Sequence, residues 1–411
     1  MNTPPQIPEL LAPAGNYDCM QAAIENGADA VYFGLATGFN ARARAANFDL
    51  QELHRCMELL HNANVKGYVT LNTLVFPEEI AQLETIIRTI NDAGVDAVLI
   101  QDLGLLHMVR TICPDLPIHA STQMTMTSAE TISPLLEMGV ERVVVARELS
   151  ISEIAKTNNH TEMPIEAFVH GALCVAYSGQ CLTSESLGGR SANRGQCAQA
   201  CRLPYEIVCD GEDIDLQDQK YLLSPQDLAA FELIPELIAA GVVSLKIEGR
   251  LKTPEYVANI TKHYRKAIDQ AISETQVSLS EEEVREMELS FSRGFSPGWL
   301  EGCDHKMLVP GLSSSKRGVS AGKAVQILSE SVVVNSTIPL KAGDGIVFAG
   351  DRTRQAEQGG RIFDIFQKGR RQKGEVPPGQ IELRFLRNAV NFEQLTETLE
   401  FWKTDDQALT K

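Results

Sequence analysis

Four cysteines give the sequence its strongest chemical signal, spaced Cys174-x6-Cys181-x15-Cys197-x3-Cys201. Thiolates are soft ligands that select zinc or iron–sulfur clusters. Structural zinc sites commonly use a close Cys pair at both ends of their loop, and here only Cys197 and Cys201 form one. The wider cage suits a [4Fe-4S] cluster, with zinc as the alternative and four independent buried cysteines as a third reading. Nine cysteines occur in all, an odd number. Cys209 is a spare ligand and Cys303 falls in a linker. Cys19, Cys56 and Cys113 sit in helix-like segments as small hydrophobes.

A second group of polar residues stands where short apolar runs end. If those runs are barrel strands, their C-terminal ends build the active site. On that placement His170, Glu248, Arg250, His119 and Asn72 are candidates for catalysis. Gln101, Gln123, Arg147, Lys246 and Lys252 join them as candidate substrate ligands. Arg190, Arg194 and Arg202 come from an acid-free stretch at 187–203 and would complete one basic rim with Lys246, Arg250 and Lys252. Arginine's planar fork matches phosphate or carboxylate oxygens, so the rim would take an anionic ligand. The bland reading, solvated surface charge, applies to each stretch taken singly.

The elements that must position these groups follow from an internal echo. Gly27, Gly94, Gly139 and Gly241 each close a helix-like segment and open an apolar run. Glycine suits that place because a helix often ends on a left-handed residue. Eight runs result, at 9–12, 30–34, 66–71, 97–101, 117–121, 142–146, 165–169 and 243–248. They are nearly all apolar rather than alternating, as parallel strands covered on both faces should be. Helices are expected between them, among others at 49–62, 78–93, 129–138 and 225–240. The alternation predicts an α/β fold, a TIM-type (βα)8-like barrel, with an open doubly wound sheet as the alternative. The barrel is expected over 1–275 with the cysteine-rich insertion at 171–223, far longer than an ordinary loop. Helices are expected at 254–273, inside the barrel domain, and at 280–291, inside a helical and linker segment at 276–315. Short β-like runs at 324–328, 332–334, 345–348 and 380–386 predict a small C-terminal β-barrel-like domain over 316–400, with a terminal strand and tail behind.

Composition narrows the classes. The chain has 411 residues, 44% hydrophobic and 22% charged, with a formal net charge of −17. That excludes a disordered chain, a collagen-like fibre and a disulfide-stapled miniprotein. No run reaches the roughly 18 apolar residues of a membrane span, and no basic leader with an apolar segment opens the chain. A cytoplasmic protein is expected. Dinucleotide and Walker glycine loops, His-Glu-x-x-His and the radical S-adenosylmethionine cysteine triplet do not occur.

The run Glu166-Ala-Phe-Val-His-Gly-Ala-Leu-Cys174-Val-Ala-Tyr-Ser-Gly-Gln-Cys181 resembles the signature of the collagenase-like peptidases, family 32 of the unknown-type peptidases. So do Gly189-Arg-Ser-Ala-Asn-Arg-Gly195, Cys197-Ala-Gln-Ala-Cys201, Ser244-Leu-Lys-Ile-Glu-Gly-Arg250, Arg293-Gly-Phe295, Glu9-Leu-Leu-Ala-Pro-Ala-Gly15 and His119-Ala-Ser-Thr-Gln123. The resemblance spans roughly residues 8–300. It implies an RNA hydroxylase, acting on cytidine in large-subunit rRNA or on the wobble uridine of tRNA. It further implies a [4Fe-4S] cluster on Cys174, Cys181, Cys197 and Cys201, and prephenate as co-substrate. Members named as collagenases keep a metal-dependent peptidase as the alternative, and a non-catalytic RNA-binding or assembly factor is the third reading.

Overall fold

The computed structural model describes residues 7–217, 219–273, 276–314, 316–349 and 357–406. Seven strands open the chain: β1 (Glu9–Ala14), β2 (Ala30–Gly34), β3 (Lys66–Leu71), β4 (Ala97–Ile100), β5 (Ile118–Ala120), β6 (Arg142–Val144) and β7 (Ile165–Ala172). A hairpin of β8 (Ile207–Cys209) and β9 (Glu212–Ile214), then β10 (Asp227–Ala229), precede β11 (Val242–Ile247). Strands β1 to β7 pair in parallel sequence order, and β11 pairs in parallel with both β1 and β7. The sheet therefore closes into the expected eight-stranded parallel barrel. All four echo glycines take positive φ, between 71° and 87°.

Side chains alternate across a strand, so every second residue faces the barrel axis. Leu11, Ala30, Tyr32, Tyr68, Ala97, Leu99 and Val144 pack there with Phe168. The interior also holds charge, since Glu166 and Lys246 are both buried. Outside, the 20-residue helix Pro254–Ser273 buries Tyr256, Val257, Ile260 and Tyr264.

One element departs from expectation. Residues 225–240 do not form one helix: the segment opens as β10, makes a 3-10 turn at Phe231–Leu233 and keeps only Ile234–Ala239 helical. Strand β7 runs past β6, which reaches only Glu166, and β10 pairs antiparallel with the surplus, Ala229 to His170 and Asp227 to Ala172. β12 (Phe295–Ser296) then adds to β10. Available backbone partners outweigh local helical pattern here.

The chain divides into two compact units. The first comprises 1–204, 221–279 and 295–310, and the second 205–220, 280–294 and 311–411. In the second, β13 (Val319–Ile327), β14 (Ser331–Ser336), β15 (Gly345–Phe348), β16 (Gly359–Gln367), β17 (Arg370–Arg371), β18 (Gly379–Phe385) and β19 (Glu400–Asp405) form an antiparallel sheet. Its order is β15-β19-β13-β14-β18-β16-β17, and pairing of β15 with β16 closes six strands into a small barrel. Val332, Val334, Phe348, Leu383 and Phe401 fill it. The terminal strand is β19; the last residues, 407–411, lie outside the described residues. Among the described residues no helix is long and apolar enough to cross a membrane.

Candidate functional site

The C-terminal ends of the barrel strands enclose a cavity of about 460 Å3, its open mouth included. Tyr32, Thr70, Leu99, Phe168 and Lys246 reach it from strands, while Asn72, Gln123, Arg147, Glu248 and Arg250 reach it from the loops that follow. The last five and Lys246 are six of the residues picked out in the sequence. Gln101 stands beside them, its Nε2 donating to the Gln123 carbonyl at 3.3 Å. Sequence reasoning missed Arg42, Tyr32, Thr70, Thr122 and Phe168, which also line the cavity. The signal for Arg42 was a basic loop, Arg42 with Arg44, after the second strand.

Beneath the cavity lies a buried ionic network. Glu166, fully buried, accepts from Lys246 Nζ at 2.7 Å, Ser244 Oγ at 3.1 Å and Arg142 Nη1 at 3.3 Å. Arg142 also pairs with Glu9, which accepts from the Tyr68 hydroxyl at 2.7 Å. Burial alone would raise the Glu166 carboxyl, and Lys246 and Arg142 more than offset it, so the group stays ionised below the usual carboxylate range. At the wall, the Arg42 fork grips one oxygen of Glu248 at 2.9 and 3.1 Å.

Two guanidinium groups in the cavity have no carboxylate partner among the described residues. Arg250, 4% exposed, donates only to neutral groups, Thr70 Oγ1 at 2.9 Å and Asn40 Oδ1 at 3.3 Å. Burial pushes its pKa down to about 10, so it remains a cation at neutral pH. Arg147 sits 5.8 Å from the Phe168 ring, with its Nε buried and unpartnered. A cavity with this surplus of positive charge accepts an anion, because unpaired buried charge is otherwise costly.

The expected basic rim does not form. Arg194 pairs with Glu79 and lies over Phe76, and Arg202 donates to Ser224 Oγ and to the carbonyls of Leu173 and Pro225. Lys246 and Arg250 are drawn inside the barrel. Lys252 stands 5.6 Å from the Tyr256 ring, away from the cavity lining, and Arg190 alone of the loop arginines is exposed. Glu79 answers Arg194 and Glu166 answers Lys246 from far along the chain, while Arg250 stays without a carboxylate inside the cavity, so the charges are not left together at one rim.

The two candidate histidines are also elsewhere. His119 is buried against Tyr68, ring centroids 5.0 Å apart, below the cavity lining. Burial holds it neutral, well below its ordinary pKa. His170 is 1% exposed, packed on Tyr264 and Phe295 at 5.3 and 5.4 Å. Alternation from Glu166 and Phe168 would send it inward. The pairing with β11 shifts by one residue there, Lys246 opposing Phe168 and Ile247 opposing His170, and such a bulge re-aims the side chain.

Burial lowers the His170 pKa to about 3, against about 6.5 in an unfolded chain. Between those values the unfolded chain binds a proton that the folded one refuses, so stability falls as pH drops through the window. His170→Phe is expected to remove that loss, about 2 kcal/mol at about pH 5. Tyr264 keeps its bonds to Val169 and Ala230 in the variant. Urea titrations at neutral and acid pH check this, and an unchanged acid limb would mean the folded imidazole takes up the proton after all.

The cysteine loop folds back onto the cavity's own loops. Thr125 Oγ1 donates to the Ser178 carbonyl at 2.6 Å, and Ser178 Oγ donates to Glu148 at 2.8 Å. At Gly179 a Cβ would stand 2.1 Å from the Gln123 carbonyl oxygen, and at Gly195 2.3 Å from that of Asn40. Arg42 lies within electrostatic reach of Cys197. The Cys201 thiol is pushed up, first by burial and further by Cys174, Cys197 and Cys181, so those three lie within electrostatic reach of it. The Gln199 amide donates to Cys197 Sγ at 3.4 Å, the kind of bond that tunes cluster sulfurs. The thiols are gathered rather than closed: among the described residues no three His, Cys, Asp or Glu side chains form a metal-holding group. Four thiols are the donor set that iron–sulfur clusters use.

Gly195→Ala is expected to lift the loop from the cavity, since the added Cβ meets main chain and φ is +77°. Amide hydrogen exchange across residues 174–201 should quicken at least severalfold, while far-UV circular dichroism stays native. A variant with wild-type exchange would show that the contact does not hold the loop.

Comparison with known proteins places the chain. The description of peptidase family U32 matches residues 15–309. The chain is 39% identical over 346 residues to the 23S rRNA 5-hydroxycytidine C2501 synthase of Escherichia coli, covering 82% of this chain and 52% of that protein. It thus spans about half the length of that relative. Identity is 36% over 383 residues to an uncharacterized protease of Methanocaldococcus jannaschii, 88% of this chain and 91% of the other. It is 35% over 301 residues to tRNA hydroxylation protein P1 of Bacillus subtilis, covering 72% and 71%. The motifs of the barrel, the cysteine loop folded on its mouth and this breadth of match agree: the chain belongs to peptidase family U32.

Proposed function

We propose that the protein is an RNA-modifying enzyme that replaces the C5 hydrogen of a pyrimidine by hydroxyl, a two-electron oxidation whose oxygen atom and oxidising equivalents come from a co-substrate. The observation that carries this reading is the cavity itself: two guanidiniums without carboxylate partners, Arg250 and Arg147, under a four-cysteine loop. Two of the relatives above are named for RNA hydroxylation, one on rRNA and one on tRNA. Arg250 and Arg147 would hold the carboxylates of a small dianion such as prephenate, bidentate pairing being what guanidinium geometry favours. Gln101, whose Oε1 is buried and unpartnered, and Gln123 present amides able to read the edge of a base. Glu248, kept ionised by Arg42 although burial opposes it, is a fixed acceptor for a substrate proton. Cys174, Cys181, Cys197 and Cys201 would hold a [4Fe-4S] cluster, which supplies one-electron chemistry when bound.

Peptide hydrolysis is the second reading, favoured by the relative named a protease. The cavity offers it a hydroxyl, Ser121, whose Oγ accepts from Asn72 Nδ2 at 3.0 Å. A nucleophile needs an adjacent base, and the imidazole of His119 is packed on Tyr68 instead. Mass spectrometry of nucleosides from a deletion strain tests both. Loss of 5-hydroxycytidine or 5-hydroxyuridine, restored by the wild-type chain, is the expected result. Unchanged nucleosides together with metal-dependent cleavage of gelatin would replace the hydroxylase with a peptidase. Iron and sulfide in about equal amounts in anaerobic protein test the cluster separately; one zinc per chain would reject it.

A further inference from the structure

One segment of the second unit carries a charge balance opposite to that of the whole chain. Against a net charge of −17, residues 359–387 hold seven Lys or Arg and three Asp or Glu. These residues form β16, β17 and β18, three neighbouring strands of the small barrel. Three of the arginines are matched locally, Arg371 with Asp364, Arg384 with Glu382 and Arg361 with Asp405. Lys368, Arg370, Lys373 and Arg387 are exposed and have no ion pair among the described residues.

Aromatic rings stand among these charges. Ile362 and Ile365 both point into the barrel although three positions apart, because the pairing of β16 with β18 shifts by one between Ile362 and Asp364. The bulge leaves Phe363 outside and 54% exposed. Phe366, opposite Arg371 on β17, lies 4.3 Å from the Arg384 guanidinium. Charge on an edge strand guards against unwanted pairing, which accounts for β17. It does not account for an exposed phenylalanine on the neighbouring strand.

We propose that this face binds single-stranded RNA, with Lys368, Arg370, Lys373 and Arg387 on phosphates and Phe363 stacked on an unpaired base. The proposal rests on the RNA-directed reading given above and adds where the polymer is gripped. An acidic protein repels a polyanion over its surface at large, but the field decays within about 8 Å at physiological salt. A local cluster of cations therefore decides where binding occurs. Cationic grooves with aromatic platforms are the usual means of holding single strands, because every base has a stacking face. A duplex would hide its bases and leave Phe363 without a partner.

The test uses the full-length protein and a fluorescein-labelled single-stranded RNA of about 12 nucleotides, with anisotropy read across a salt series. Lys368→Ala, Arg370→Ala and Lys373→Ala combined should lower the salt slope by about 2, about 0.7 for each lost contact. Affinity at about 0.1 M salt should fall at least tenfold. Phe363→Ala should weaken binding at least about fivefold with the slope unchanged. Lys368→Arg with Lys373→Arg should bind as wild type, which separates charge from fold. A triple variant with wild-type affinity and slope overturns the proposal. So does a wild-type chain that ignores the oligonucleotide and binds polyglutamate, which would make the face a site for acidic protein. Nucleoside analysis of the same strains is read independently. RNA binding lost in the triple variant, with no hydroxylated nucleoside in any strain, keeps this surface and rejects the reaction. Intact binding with intact modification does the reverse.

Discussion

Replacing Glu166 by Leu is expected to destabilise the barrel by about 3–5 kcal/mol, the range for removing one partner of a buried ion pair. Glu166 is the acid that faces Lys246, and it also takes bonds from Ser244 and Arg142. Arg142 keeps Glu9 in the variant, but Lys246 keeps no carboxylate. Burial already pulls the Lys246 ammonium below its ordinary pKa, so the orphaned lysine would fold only by giving up its proton. Removing both charges should be far milder, because the desolvation of two ions disappears with their attraction. Glu166→Leu with Lys246→Met is therefore expected within about 2 kcal/mol of wild type. Urea unfolding of the three proteins measures this. A single variant losing less than about 1 kcal/mol would mean that water reaches the pair.

Arg250→Met is expected to behave in the opposite way, sparing stability and removing function. The side chain is buried against neutral acceptors alone, so the cost of burying its charge offsets the two hydrogen bonds lost. Stability should stay within about 1 kcal/mol of wild type. Modification should fall about 100-fold or more, the scale of losing one preorganised charged contact. Arg250→Lys should not restore it, since an ammonium lacks the planar fork. Hydroxynucleoside content in a complemented deletion strain, set against protein abundance, reads the effect. Loss of modification that merely tracks loss of protein would make Arg250 a structural residue.

The barrel was legible because its strands are short apolar runs closed off by helix-ending glycines. Asn72, Gln123, Arg147, Lys246, Glu248 and Arg250 were legible with it, for they stand at or just after strand ends and barrel geometry brings such positions together. Arg42 was not, because it reaches the cavity from within a loop, and nothing local says that Glu248 waits for it 206 residues away. His170 was misplaced by a one-residue slip in pairing, which the sequence of one strand cannot reveal. The rim failed for a related reason: Arg194 meets Glu79 across 115 residues. Local pattern shows which side chains are charged and leaves open which charges are already answered. Strand β16 was missed because Gly359, Gly360 and Arg361 open it and a bulge breaks its alternation.

The contacts at Gly179 and Gly195 have a consequence for how the protein can change. Both press main chain against main chain, on Gln123 and Asn40. Backbone shape thus anchors the roof of the cavity together with the Thr125 and Glu148 bonds to Ser178, and neither Thr125 nor Glu148 lines the cavity. Asn72, Gln101, Gln123 and Tyr32 can be exchanged while the cysteine loop keeps its seat. A framework of this kind is evolvable in a specific sense: ligand preference can drift by a few substitutions in the lining without rebuilding the cysteine loop above it. For redesign, libraries belong in the lining, and the two glycines are the positions to leave alone.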